Sequence, residues 1–271
     1  MTKRPLPQIL LTNDDGIVSP GLWAAAETLS ILGKVTVAAP REQSSGTGRS
    51  LPSSSDGIIT PQSVIVGGKP HQAYAVGGTP AQAVLHGILE ILGSMPDLVV
   101  SGINYGENVG SGVTISGTVG AALEAASHGI PGLAISLETP LDRQLGYSTE
   151  IDFSAAAYFA TLFGQKLLEK QFPADVMALK VDVPSSATRE TPWQVTRIAR
   201  QRYYEPVAPD RVDWAKPAPV GYRHAPDVAN SERDSDVYIL LALRHVSVTP
   251  LSLDMTSRVD FEELERLLRG Q

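Results

Sequence analysis

Residues 8–16 read Gln8-Ile9-Leu10-Leu11-Thr12-Asn13-Asp14-Asp15-Gly16. A short apolar run closed by Asx residues and glycine is the pattern of a strand that is buried on both faces and ends in a polar turn. Beyond the turn, Gly21-Leu22-Trp23-Ala24-Ala25-Ala26-Glu27-Thr28-Leu29 predicts a helix ending near Gly33, and Lys34-Val35-Thr36-Val37-Ala38-Ala39-Pro40 predicts a second strand. The alternation returns down the chain. A helix follows Thr79-Pro80, a strand lies at Asp97-Leu98-Val99-Val100-Ser101, a helix runs through 119–126 and a strand lies at Leu133-Ala134-Ile135-Ser136. Another helix covers about 153–168, and Val176-Met177-Ala178-Leu179-Lys180-Val181 is the next strand. Uniformly apolar strands alternating with helices imply a mostly parallel sheet with right-handed crossovers. Residues 1–184 therefore read as one doubly wound α/β core.

Segment 44–68 is rich in Ser, Gly and Pro, but Ile58-Ile59 and Val64-Ile65-Val66 are strand-like, so it reads as a long loop or hairpin. After Pro184 the texture changes to Pro, Arg, Tyr and Trp in irregular order, which fits an extended arm or long hairpin. Residues 185–271 are expected to hold that arm, a last strand pair at 236–241 and 245–249, and a short amphipathic terminal helix over 261–268, all within the same domain.

The chain has 271 residues, of which 22 are basic and 29 acidic, giving a net charge of −7, and it has no cysteine. Length and apolar content suffice for a buried core. Without cysteine there is no disulfide framework, thiolate metal site or cysteine nucleophile, so metal chemistry is left to oxygen and histidine ligands. An acidic balance argues against a nucleic-acid duplex as partner, because neutralising phosphates needs a basic stripe. No run approaches the length of a membrane helix, and Met1-Thr2-Lys3-Arg4-Pro5 passes at once into a strand. The expectation is a cytoplasmic protein with no membrane partner.

In an open parallel sheet, ligands bind beyond the carboxyl ends of the strands. The first such end offers Asn13, Asp14 and Asp15, the second Gln43-Ser44-Ser45-Gly46, and the third Asn104-Tyr105-Gly106-Glu107-Asn108. Adjacent carboxylates repel and raise each other's pKa unless a cation is near. With neutral oxygens from Ser45 and Asn104, the set suits a hard ion such as Mg²⁺ or Mn²⁺. A helix-entry turn alone would explain Asn-Asp-Asp-Gly equally well; the polar ends of two further strands favour the metal. Ser116-Gly117-Thr118 opens an alanine-rich helix whose free N–H groups make an anion site, and the glycine-dense approach over 106–112 favours phosphate over simple capping. Thr79-Pro80 reads instead as a structural cap.

Several enzyme classes lose their signatures. No Gly-x-Gly-x-x-Gly follows the first strand, no Gly-x-x-x-x-Gly-Lys-Ser/Thr occurs, and the acidic pair is not Asp-x-Asp. Histidines 71, 86, 128, 224 and 245 show no zinc spacing and read as surface or packing residues, with His128 at a helix C-terminus.

Taken together, Thr12-Asn13-Asp14-Asp15-Gly16-Ile17, Ala39-Pro40 with Gln43-Ser44-Ser45-Gly46, Gly78-Thr79-Pro80-Ala81, residues 100–108 and Ser116-Gly117-Thr118-Val119 resemble the SurE survival-protein nucleotidases. Gly129-Ile130-Pro131 and Val246-Ser247-Val248-Thr249-Pro250-Leu251 extend the likeness. The resemblance implies a metal-dependent phosphomonoesterase acting on nucleoside 5′-monophosphates, with some members also acting on 3′-nucleotides or short polyphosphate. It implies one divalent ion, Mg²⁺ or Mn²⁺, on Asp14, Asp15, Ser45 and Asn104, a Rossmann-like core over 1–184, and a C-terminal arm used to build a homodimer or homotetramer. Arg41, Ile115 and Gln82-Ala83 depart from the family pattern, and residues around 214–230 match it poorly. On this reading Asp14 and Asp15 are also the catalytic carboxylates, and Asn13, Gly46, Asn108, Ser116, Gly117 and Thr118 bind substrate phosphate. Two rivals remain at this point: a nucleotide-binding regulatory module that does not hydrolyse, and a metal-dependent transferase using a nucleotide-sugar donor.

Overall fold

The computed structural model describes residues 5–66, 69–144, 148, 150–224 and 228–270. The basic start at 1–4 and the end of the 44–68 segment at 67–68 lie outside the described residues. In chain order the strands and helices are β1 (Gln8–Thr12), α1 (Pro20–Leu29), β2 (Lys34–Pro40), β3 (Ile59–Val66), β4 (Lys69–Val76), α2 (Pro80–His86), β5 (Leu98–Tyr105), α3 (Gly117–Ser127), β6 (Gly132–Leu137), α4 (Ser154–Glu169), β7 (Ala178–Val183), β8 (Trp193–Val195), β9 (Tyr204–Val207), β10 (Gly221–His224), α5 (Asp236–Leu241), β11 (Val246–Leu251) and α6 (Phe261–Leu268). Nine strands form one sheet in the order β3-β4-β2-β1-β5-β6-β7-β11-β8. The run from β4 to β7 is parallel, while β3 pairs antiparallel with β4 and β11 antiparallel with β7. This is the expected doubly wound, mostly parallel α/β sheet.

Alternation along β1 sorts its side chains between two cores. Ile9 and Leu11 face a layer holding Leu22 and Leu29 of α1 with Phe159 and Phe163 of α4. Leu10 faces the other layer, with Ala83 of α2 and Ala121 and Ala125 of α3. The alanines of α3 bring its helix close to the sheet: Ala122 and Ala126 pack on Ala134 of β6 and Ala178 of β7. Thr79 caps α2 in a reciprocal capping box with Gln82, as the Thr-Pro reading expected. His128 caps the C-terminus of α3, with Nε2 3.4 Å from Glu124.

Two expectations need correction. Residues 236–241 were read as a strand and form the helix α5, whose N-cap Ser235 accepts a hydrogen bond from the Tyr238 N–H. A six-residue apolar run does not distinguish a buried strand from a buried helix by periodicity, and here the Ser-Asp start decides for the helix. β11 therefore takes its sheet partners from β7 and β8. Segment 44–68 does carry a hairpin strand, β3, but its partner β4 was not anticipated. β4 places Ala73 and Ala75 in the core, with Gln72 exposed and Tyr74 half-buried, a weak strand signal.

Within 185–271, β9 and β10 form a separate antiparallel pair, and β8 closes the main sheet with Trp193 edge-on to Phe163. The terminal helix forms where expected, capped by Asp260, and none of its residues is buried: Phe261, Leu264, Leu267 and Leu268 are exposed. Among the described residues no helix is long and apolar enough to cross a membrane.

Candidate active site

β1 lies between β2 and β5, the point at which successive parallel strands change direction across the sheet. Such a switch point opens a crevice at the carboxyl ends of the two central strands. Asp14 and Asp15 follow β1 at this crevice, and Asn104 stands near the end of β5. The turn between them and α1 is braced by Asn13, whose Nδ2 donates to the Gly16 carbonyl at 3.0 Å and whose Oδ1 accepts the Gly16 N–H at 3.2 Å. Asn13 is fully buried. Both ends of its amide hold the turn, so it shapes the loop that presents the carboxylates.

Asp14 sits under the start of α3. Its Oδ1 accepts the Thr118 hydroxyl at 2.6 Å, and the backbone N–H groups of Gly117 and Thr118 also favour its anion. Burial outweighs these donors and holds the carboxyl above its ordinary range. Asp15 accepts the Tyr105 N–H at 3.2 Å and the Gln43 amide at 3.4 Å. Burial and then the Asp14 charge push it well above the ordinary value. Two buried carboxylates thus meet where the N-terminus of α3 and the ends of β1 and β5 converge.

Gly117 makes the close approach feasible. A Cβ there would stand 2.8 Å from Asp14 Cβ, 3.0 Å from Asp14 Oδ2 and 3.1 Å from Thr47 Oγ1, closer than real side chains pack. The loop after β2 closes the cluster from the other side. The Ser44 N–H donates to the Asp14 carbonyl at 2.7 Å, and the Thr47 hydroxyl to the Ser44 carbonyl at 2.8 Å. Between them Ser45 is exposed, and Gly46 takes φ +74° with open space about its Cα, a conformation that favours glycine. Asn104 follows a register slip in β5 and donates Nδ2 to the Tyr105 and Gly106 carbonyls at 3.3 and 2.6 Å. The amide oxygen is the end these bonds leave uncommitted.

Among the described residues no three His, Cys, Asp or Glu side chains gather as a metal cluster. A metal here would rest on two carboxylates completed by neutral hydroxyl and amide oxygens, a set suited to a hard divalent ion. Such an ion would offset the burial of both carboxylates and the charge of Asp14 on Asp15, and the Gly117 cradle keeps the space open. The donor set fits.

Ser116 is the N-cap of α3, its Oγ accepting the Val119 N–H at 3.1 Å. Asn108 is held twice, its N–H on Asp182 at 2.7 Å and its Nδ2 on Ser136 at 2.8 Å. Both therefore brace the segments that flank the cluster.

Comparison with known proteins identifies the family. The family model described as Survival protein SurE matches residues 9–205. The chain belongs to the SurE family. A relative from Thermococcus gammatolerans, named 5′-nucleotidase SurE, is 43% identical over 97% of both chains. One of the same name from Methanosarcina mazei is 41% identical over 99% of this chain and all of its own. The SurE crystal structure from Aquifex aeolicus superposes with a TM-score of 0.74 at 32% identity, covering 97% of this chain and all of that one.

Three residues next to the acidic pair were not given a role from the sequence. Gln43, Thr47 and the Tyr105 N–H each touch the acidic pair or the loop after β2; Gln43 and Tyr105 were quoted in motifs without a role. Glu107 was likewise quoted without a role. It is buried against Tyr204, which donates to Oε1 at 3.3 Å, with His224 Nε2 at 3.6 Å, and burial pushes its carboxyl up to about 7. The unfolded carboxyl titrates near 4.5, so the fold retains a proton that the unfolded chain has lost between these values. Stability from the neutral group is complete below pH 4.5 and is lost as pH rises through about 7. Glu107→Gln should remove about 3 kcal/mol of this pH dependence. Urea unfolding of both proteins from pH 4 to 8 checks it, and parallel curves would contradict it.

Proposed function

We propose that the strand-end cluster is a metal-dependent phosphomonoesterase site and that the chain is a 5′-nucleotidase, hydrolysing nucleoside monophosphates to nucleoside and phosphate. The observation that carries this reading is the buried Asp14–Asp15 pair facing the first amides of α3. Relatives bearing the name 5′-nucleotidase SurE, at 41 and 43% identity over nearly the whole chain, support the reaction and substrate class.

Asp14, Asp15, Ser45 and Asn104 would hold one Mg²⁺ or Mn²⁺. When bound, such an ion supplies positive charge that polarises the phosphoryl group and acidifies water. The chain does the rest. The N–H of Gly46 binds an equatorial phosphoryl oxygen as negative charge shifts onto it, and the N–H groups of Gly117 and Thr118, shared with the Asp14 carboxylate, favour the phosphate anion from the start of α3. One carboxylate of the acidic pair accepts the proton of the attacking water as the new P–O bond forms and the bond to the nucleoside oxygen breaks. Asn13, Ser116 and Asn108 fix the loops that carry these groups.

Residues 1–184 supply this catalytic core, and 185–271 extend the same domain. A homodimer or homotetramer built through that segment belongs to the proposal, supported by the exposed apolar residues Phe261, Leu264, Leu267 and Leu268 of α6.

The test is phosphate release from nucleoside 5′- and 3′-monophosphates and polyphosphate, each with Mg²⁺ and with Mn²⁺. Release from 5′-monophosphates in water, without an acceptor substrate, is expected. A requirement for a second substrate would favour a transferase, and tight nucleotide binding without release would favour a regulatory module. Turnover of 3′-nucleotides or polyphosphate would add those substrates to the range.

A further inference from the structure

Lys180 lies in β7, two residues before Asp182 and on the same face of the strand. Its ammonium donates to Asp182 Oδ2 at 2.5 Å and to Asp236 Oδ2, at the start of α5, at 3.1 Å. All three side chains are wholly removed from solvent. Burial alone would lower the Lys180 pKa; the two carboxylates instead hold it above its ordinary value, so the group stays charged. Apolar residues of similar size commonly serve as well or better for stability than a buried ion triad. The two carboxylates have another employment besides holding Lys180.

Asp182 Oδ1 accepts the N–H of Asn108 at 2.7 Å, and Asp236 Oδ2 accepts the N–H of Gly110 at 3.1 Å. Asp236 Oδ1 accepts the N–H of Ala199 and of Val237, each at 2.9 Å. Asn108 and Gly110 lie in the glycine-rich segment that links Asn104, at the acidic pair, to Ser116 at the start of α3. This segment is also tied by Asn108 Nδ2 to Ser136, by the Gly106 N–H to the Leu137 carbonyl at 2.9 Å, by the Tyr204 hydroxyl to the Glu107 carbonyl at 3.3 Å and by the Ser111 N–H to the Gln201 carbonyl at 3.0 Å; at Asn108 and Gly110 the backbone N–H goes to a carboxylate. Hydrogen bonds to charged acceptors are stronger and shorter than neutral ones, and a buried anion keeps them only if its own charge is compensated. Lys180 provides that compensation for both acceptors at once.

We propose that Lys180, Asp182 and Asp236 form a positioning device that fixes the backbone of residues 106–110 and so sets the start of α3 against Asn104 for phosphate binding. The proposal rests on the phosphate-binding reading of Gly117 and Thr118 given above. Lys180 organises two acceptors, each acceptor holds one amide of the linking segment, and the segment holds the spacing between a metal-side residue and the anion-side helix. Displacements well under the size of an atom at such a site are costly for turnover.

Two substitutions separate this role from plain stability. Asp182→Asn and Asp182→Leu both remove the charge partner of Lys180, but only asparagine keeps an oxygen for the Asn108 N–H. With Mn²⁺ present, inorganic phosphate is used as an inhibitor of phosphomonoester hydrolysis by all three proteins. The expected result is about tenfold weaker phosphate inhibition and a raised KM for Asp182→Leu, with most of the wild-type inhibition kept by Asp182→Asn and Mn²⁺ affinity unchanged in both. Equal inhibition of the three proteins overturns the positioning role. Absence of hydrolysis by the wild type is a separate result and overturns the site assignment beneath it. If the variants do not fold, hydrogen exchange on the wild-type protein decides. The Asn108 and Gly110 amides should exchange as slowly as those of β5, and exchange at the rate of residues 253–260 overturns the proposal.

Discussion

Asp14→Asn should lower nucleoside-monophosphate turnover by at least two orders of magnitude while leaving the protein folded. The Asp14 carboxylate is the group on which Thr118 Oγ1 and the first amides of α3 converge, and it is one of the only two carboxylates in the proposed ligand set. Asparagine has nearly the same shape and can still accept from Thr118, so the packing beneath α3 is retained. What disappears is a negative charge, and with it the attraction for a divalent ion and half of the capacity to accept a proton. Losing one such preorganised charge costs on the order of 10²–10³ in rate. Folding should not suffer, because the charge is buried and raises its neighbour Asp15; its removal relieves repulsion. Steady-state kinetics with added Mn²⁺, together with thermal unfolding, checks both halves. Turnover near that of the wild type would remove Asp14 from the site.

Gly117→Ala is the second large effect. Alanine is the better helix former by up to about 1 kcal/mol, so on propensity alone the change would be harmless or stabilising. Space decides otherwise. The added methyl would lie 2.8 Å from Asp14 Cβ, which is anchored to the backbone and has no rotamer in which to withdraw, and 3.1 Å from Thr47 Oγ1. Either α3 or the loop carrying Asp14 must retreat by several tenths of an ångström. Such a shift moves the anion-binding amides relative to the acidic pair, and a fall in kcat/KM of about 10- to 100-fold is expected with the melting temperature altered by only a few degrees. Unchanged kinetics would show that the gap between Gly117 and Asp14 has no part in catalysis.

The doubly wound core was readable because its signals reinforce one another. β1, β2, β5, β6 and β7 are apolar runs at the expected places, and α2 and α3 begin with recognisable caps at Thr79 and Ser116. The candidate site was legible for a topological reason: residues following a parallel strand fall at the same end of the sheet, so Asp14, Asp15, Ser45 and Asn104 could be proposed together without knowing a single distance. Where reading failed, the deciding information was non-local. Asp236-Val237-Tyr238-Ile239-Leu240-Leu241 suits a strand by composition, and it is helical because Ser235 caps it and Asp236 is drawn inward by Lys180. The roles of Asn13 and Asn108 likewise depend on partners, Gly16 and Ser136, that composition does not supply. Lys180 and Asp182 did carry a signal. Opposite charges two residues apart in an otherwise apolar strand share one face, and such a pair in a buried strand announces an internal ion pair.

Metal-stripped protein offers the most direct test of the proposed chemistry. Phosphate release from AMP should vanish in a chelator and return when about one equivalent of Mn²⁺ or Mg²⁺ per chain is restored, with Asp14→Asn failing to recover under the same titration. Undiminished phosphate release by the wild-type chain in the presence of the chelator would contradict a metal-dependent site built on Asp14 and Asp15.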